Sequence, residues 1–143
     1  MARINQMIKR VQALNIDLMS ELSIEDTADK LVEKQQEQMY EGIDSDGGER
    51  EPEYSPFTIA VKQSKGQRTD VVTLNDTGSF YQKMVATVQG DSYIITSGDE
   101  KTGDLLTKYG PDIFGLSTPY KSRYVSEDLR PAFMANVRKE LKL

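Results

Sequence analysis

The chain has no histidine, no cysteine and no tryptophan among its 143 residues. The missing histidine excludes Ser–His and Cys–His nucleophile systems and every imidazole metal ligand. The missing cysteine excludes a disulfide framework, thiolate zinc sites, iron–sulfur clusters and thiol catalysis. Long apolar runs are also absent: the hydrophobic segments are short and broken by charges, so no transmembrane helix is expected. Met1-Ala-Arg-Ile-Asn-Gln-Met-Ile-Lys-Arg10 lacks the apolar centre of a signal peptide, which makes cytoplasmic synthesis the expectation. Hydrophobic residues amount to 37%, below the ~45–50% of ordinary globular chains.

What is present is charge, unevenly placed. Lys and Arg number 18 against 23 Asp and Glu, for a net charge of −5. Residues 1–70 hold 9 basic and 14 acidic side chains, whereas residues 71–143 hold 9 of each. The acidic excess therefore lies in the first half, mostly in Glu41, Asp44, Asp46, Glu49, Glu51 and Glu53, which have only Arg50 among them. Both ends are basic, with Arg3, Lys9 and Arg10 at one and Arg138, Lys139 and Lys142 at the other. Like charges repel and keep such a loop in solvent; the alternative, functional reading is an electrostatic contact with a basic partner surface. No basic stripe interleaved with aromatics is visible, so specific nucleic-acid binding is not expected.

A chain of this length predicts a single domain over residues 1–143. Three parts are distinguishable: an N-terminal helical arm over 1–41, the acidic loop over 42–53 and an α+β core over 54–143. In the arm, Ile4, Ile8, Val11, Leu14 or Ile16, and Leu18 follow helical spacing over residues 3–20. Ser23 with Asp26 reads as a capping-box start of a second helix. Ala28, Leu31, Val32, Gln35 and Met39 lie along one face of that helix, which ends at Gly42. Gly47-Gly48 and Pro52 break the loop. Phe57, Ile59 and Val61 alternate as in a half-buried strand. Val71, Val72 and Leu74 lead to a turn at Asn75–Gly78, and strands are expected over Phe80–Val88 and Ser92–Ser97, joined by a hairpin turn at Gln89-Gly90-Asp91.

Asp99 reads as the cap of a short helix to Lys108, and Tyr109–Leu116 as a rigid aromatic loop. Ser126 reads as the cap of a C-terminal helix bearing Leu129, Phe133, Val137 and Leu141. The expected class is α+β: two N-terminal helices, a small and mostly antiparallel sheet with a hairpin, a short helix, and a C-terminal helix packed on the sheet.

Candidate chemistry is thin. Asp44–Glu49 lacks the ligand spacing of a calcium loop, and Gly98–Gly103 holds the letters of a phosphate loop in the wrong order. Asp99 and Lys101, with Asp76 or Asp91 as a second carboxylate, match the minimal pattern of a Mg²⁺-dependent nuclease, in which carboxylates hold the ion and the lysine steers water. Acids at a helix start offer a structural explanation of the same residues. Asp76-Thr77-Gly78 has the letters of an aspartic-protease signature, but it reads better as a tight turn with glycine at positive φ. No cofactor and no metal site are expected.

The run Val72-Thr-Leu-Asn-Asp-Thr-Gly-Ser-Phe-Tyr81 is followed by the hairpin Met84–Val88 and Tyr93–Ser97, then by Tyr109-Gly and Phe114-Gly115. This order resembles tailed-bacteriophage structural proteins of the neck and tail-completion group, including virion-morphogenesis proteins of Mu-like phages. Lys62 and Gly66-Gln67 ahead of the Thr-Gly turn resemble the form found in phages of gut Bacteroidetes. The resemblance covers about residues 55–116.

It implies a virion protein without enzymatic activity, built into a ring at the head–tail junction or along the tail. Its expected partners are copies of itself and neighbouring portal, connector or tail proteins. The interface residues expected on this reading are Glu41, Asp44, Asp46, Glu49, Glu51 and Glu53, with Tyr109, Ile113 and Phe114 as anchors. A small host-directed binding protein is the third reading, after the ring subunit and the nuclease.

Overall fold

The computed structural model describes residues 2–143. The element order is α1 (Ala2–Gln12), α2 (Ile16–Asp26), α3 (Ala28–Tyr40), α4 (Pro56–Ser64), a single turn α5 (Ser79–Gln82), β1 (Met84–Gln89), β2 (Ser92–Ser97), α6 (Thr102–Tyr109), α7 (Thr118–Tyr124) and α8 (Arg130–Leu141). The class is α+β, with β1 and β2 forming a two-stranded antiparallel sheet.

The N-terminal region is three helices rather than two. Asn15 opens α2: its backbone is extended and its side chain accepts the Leu18 N–H at 3.1 Å. Ser23, expected as a cap, instead lies inside α2 and donates its hydroxyl to the Met19 carbonyl at 2.6 Å. The chain is redirected at Thr27, whose hydroxyl donates to Ser23 O at 2.7 Å and meets the Tyr124 hydroxyl at 2.6 Å.

Phe57, Ile59 and Val61 sit on a helix, not on the expected strand. Five residues are too few to separate a period of two from an i, i+4 pair. The deciding signal is the step before them, where Ser55 accepts the Thr58 N–H at 3.2 Å and Pro56 occupies the first turn. Likewise Phe80 begins no strand. Gly78, at φ +88°, turns the chain into α5, and the strand starts at Met84.

The hairpin holds as expected. Gln89 pairs with Ser92, leaving the two-residue turn Gly90-Asp91 with Gly90 at φ +59°. Met84↔Ser97, Ala86↔Ile95 and Val88↔Tyr93 share the covered face of the sheet.

The C-terminal helix begins earlier than Ser126. It runs from Thr118 through a π turn at Val125–Leu129 into α8. Pro131 explains the widening, because it has no N–H for the preceding turn and its ring crowds the carbonyl four residues back. The first part of this long helix lies on the hairpin, where the Tyr124 and Tyr93 rings meet edge to face with centroids 6.4 Å apart. The second part, α8, runs beside α2 and α1.

α3 joins two hydrophobic clusters. Leu31 near its start packs with Ile24, Ile95, Leu116 and Tyr124. Met39 near its end packs with Val72, Leu74, Phe80, Met84 and Ile113. A helix of this length spans about 20 Å, so the clusters lie at opposite ends of one rod. Truncating Leu31, fully buried, to Ala should destabilise the fold by about 2–5 kcal/mol in denaturant titration.

Lys34, on the same helix, reaches Glu127 at 3.0 Å and Asp128 at 3.4 Å in the π turn. The hydrogen bond from Lys34 holds the Glu127 carboxyl below its ordinary 4.5. A carboxyl depressed on folding stabilises the fold above its unfolded pKa, and that contribution disappears as pH falls through the folded value. Thermal midpoints should therefore fall on acidification below about pH 4.5, and Glu127→Gln should flatten that limb of the profile.

Candidate assembly surface

The most exposed apolar element is the first one. α1 has no buried residue and no acid, and its Ile4, Ile8 and Val11 form an i, i+4, i+7 stripe that is 58%, 49% and 50% exposed. Met7 and Arg10 are the half-buried positions, and Arg10 donates to the Leu141 carbonyl of α8 at 3.2 Å. An isolated helix of this length is marginal in water. The stripe is left largely uncovered by the rest of the described chain. Ile16, Leu18 and Leu22 of α2 and Met134 of α8 extend the exposed apolar surface.

The acidic segment is folded rather than a free solvated loop. Ile43 and Glu49 form an antiparallel bridge, and Arg50 lies beneath it with its side chain fully buried. The Arg50 guanidinium donates to Asp44 Oδ1 at 3.0 Å, to the Met39 and Ile43 carbonyls at 3.2 Å each, and to the Val72 carbonyl. Asp44 is thereby buried and neutralised inside the chain, so it is not a contact residue. Glu41, Asp46, Glu49, Glu51 and Glu53 remain exposed. Glu41 also takes Arg68 at 3.4 Å.

The aromatic loop is largely an internal element. Ile113 is completely buried between α3 and the hairpin cluster, and Phe114 packs on Phe80 with ring centroids 5.8 Å apart. Ile113 therefore has no surface to offer a neighbour. Tyr109 is half-buried and lines a cavity of about 140 Å³ together with Leu74, Phe80, Lys101 and Leu105.

Two glutamines hold this loop. Gln35 donates to Ile113 O at 3.3 Å and accepts from Gly115 N at 2.7 Å. Gln38 donates to Gly115 O at 2.8 Å and accepts from Ser117 N at 2.7 Å. Gly115, at φ +103° with Ser45 Cβ only 3.2 Å from where a Cβ would stand, lets one residue face both amides.

Asp76-Thr77-Gly78 is a turn. The Thr77 Oγ1 accepts the Ser79 N–H at 3.4 Å, and Gly78 takes positive φ. The Asp76 carboxylate pairs with Lys65 at 3.0 Å and Lys101 at 3.8 Å and accepts from Gln67 at 3.2 Å. The Lys65 hydrogen bond, then that from Gln67, holds its pKa below the ordinary 3.8. Asp99 Oδ2 accepts the Lys101 N–H at 3.2 Å in the turn before α6, and Oδ1 faces Lys83 at 3.6 Å. Asp91 stands exposed on the hairpin turn. The lysines already neutralise Asp76 and Asp99, and among the described residues no group of three or more acidic side chains converges as a cation site. No helix among them is long and apolar enough to cross a membrane.

Phe57, expected on a half-buried strand, is instead 79% exposed on α4. The reading of the sequence missed the roles of Arg50, Gln35 and Gln38. A lone base among acids was the available signal for Arg50. Gln35 and Gln38 at i, i+3 on the inner face of a helix signalled a buried polar contact, but not its partner. No family model matches the chain, and neither does any curated protein or solved structure.

Proposed function

We propose that this chain is a structural protein of tailed-phage virions, a ring-forming subunit of the neck, head–tail connector or tail-completion type. The observation that carries the reading is α1, a basic helix whose apolar stripe is left bare by its own fold. A subunit that acts by assembly needs such an element, because the stripe is covered only when a neighbour arrives. The Thr-Gly turn, the hairpin and the Phe-Gly step that carry the resemblance are each built as structural devices. Asp76 is salted to lysines, and Gly115 serves the glutamine pair.

On this reading the partners are further copies of the chain and adjoining portal, connector or tail proteins, and the location is the assembled virion. Mass spectrometry of gradient-purified particles tests it. The chain is expected there in several copies per particle. Abundant protein in the infected-cell lysate with none in the particles would refute the reading.

A further inference from the structure

We infer that the cavity of about 140 Å³ between α4, the Thr-Gly turn and α6 binds a small apolar monocarboxylate, held by the Lys62 ammonium. α4 is turned against the usual order of side chains. Its Phe57 is 79% exposed, whereas Lys62, at 8%, is the one residue of the helix that is buried. Lysine is almost never fully buried without a partner, and its long stem ordinarily carries the head out to water. Here the head stays inside. Nζ lies 4.8 Å from the centroid of the Tyr54 ring, and Tyr54 lines this cavity but not the shallower groove beside Phe57.

An ammonium carries three donors. Lys62 uses one, in a long hydrogen bond to Gln67 Oε1 at 3.5 Å, and the Tyr54 π face offsets part of the burial. The one acid on the cavity lining, Asp76, is exposed and already pairs with Lys65 at 3.0 Å and Lys101 at 3.8 Å. Three lysines thus stand around one carboxylate, and the buried lysine is the one it does not reach. Burying a charge is costly unless it is paired, and an anion entering the cavity supplies the pair.

The rest of the lining fixes the kind of anion. Leu74, Phe80, Leu105 and Tyr109 make the wall apolar. Inorganic phosphate loses its water against these side chains and gains one buried ammonium in return. A carboxylate on an apolar group gains twice: its oxygens meet Lys62, and its body displaces water from the wall. Size sets the upper limit, since an apolar cavity of about 150 Å³ takes one benzene. The ligand class is therefore a single ring or short branched chain bearing one carboxylate.

Benzoate is the probe that tests this. Titrated into the full-length ¹⁵N-labelled chain, it is expected to shift the Leu74, Phe80, Leu105 and Tyr109 amide signals saturably, with a Kd of about 0.1–1 mM. Benzamide has the ring without the charge, and inorganic phosphate the charge without the ring. Each should bind roughly tenfold more weakly or worse. Lys62→Met keeps the stem and removes the ammonium, so benzoate affinity should fall by about tenfold or more. Its thermal midpoint without benzoate should stay level or rise, because an uncompensated charge has left the interior. Leu105→Phe leaves Lys62 in place but fills the cavity, and should weaken benzoate to a similar degree.

The absence of saturable shifts up to ~10 mM benzoate would overturn the inference. So would phosphate or benzamide binding as tightly as benzoate, or unchanged affinity in Lys62→Met or Leu105→Phe. A Lys62→Met chain less stable than wild type assigns the ammonium to the fold and overturns it as well. None of these results bears on whether the chain is present in purified particles, so the ligand site and the virion reading stand or fall separately.

Discussion

Replacing Arg50 with Met is expected to be the most damaging single substitution in the chain. The guanidinium ties together the end of α3, the acidic loop and the Val72 segment, through Met39, Ile43, Asp44 and Val72. Methionine fills much of the volume but donates nothing. Asp44 is then a buried carboxylate without a counter-charge, and three carbonyls lose a donor. Removing one member of a buried ion pair costs about 3–5 kcal/mol, which for a domain of this size lowers the thermal midpoint by roughly 10 °C or more.

The measurement is the denaturant midpoint and slope of Arg50→Met, Arg50→Lys and the double variant Arg50→Met/Asp44→Asn. Lysine retains the charge but not the fork, so an intermediate loss is expected. The double variant should recover part of the loss, since the unpaired charge is gone. Equal stability of wild type and Arg50→Met would show that the loop is not held in this way. Acid-loop neutralisation at Glu49, Glu51 and Glu53 is expected to leave stability nearly unchanged, which separates the structural acid from the exposed ones.

Gln38→Leu is expected to have the second-largest effect. The side chain is fully buried, and both ends of its amide are used by the loop after α6, through Gly115 O and Ser117 N. Leucine suits the surroundings in size and leaves one half-buried carbonyl and one buried N–H unpaired. Each orphaned group costs about 1–3 kcal/mol, giving roughly 2–6 kcal/mol in all.

The effect reaches beyond the local bonds because the same loop inserts Ile113 into one cluster and Leu116 into the other. Amide hydrogen exchange at Ser117 reads the change directly. Its protection should fall by a factor of about 10²–10³, the equivalent of roughly 3–4 kcal/mol at 1.4 kcal/mol per decade. Gln35→Leu should do the same at Gly115. If protection at Ser117 is unchanged, the amide pair is not what holds the loop.

These two sites also mark where the amino-acid order ceases to be informative by itself. The hairpin was legible because its signal is local. Gly90-Asp91 is flanked by alternating strands, and every residue that decides the turn lies within a few positions of it. The α+β class, the helical arm and the Thr-Gly turn were legible for the same reason. Each rests on periodicity, capping or glycine at positive φ.

The failures share a different cause. Phe57–Val61 satisfies two periodicities at once, so its state depended on Ser55-Pro56. Ser23 and Ser126 have good capping chemistry but sit mid-helix, because Thr27–Tyr124 and the packing of α8 on α2 carry the chain through those points. Ile113 looked like an anchor because it stands among aromatics and glycines in a loop, but Gln35 draws it into the core from 78 residues away.

The sequence by itself thus determined the excluded chemistry, the uneven charge, the class of the fold and the apolar stripe on the first helix. Composition and short-range pattern suffice for those. Tertiary structure alone decided which charges are spent internally and which face outward. Asp44 and Glu49 are alike in the chain and differ only because Arg50 folds back six residues to one of them. It also decided that the stripe on α1 stays bare, since that depends on how little of the stripe α8 covers, and on nothing within α1 itself.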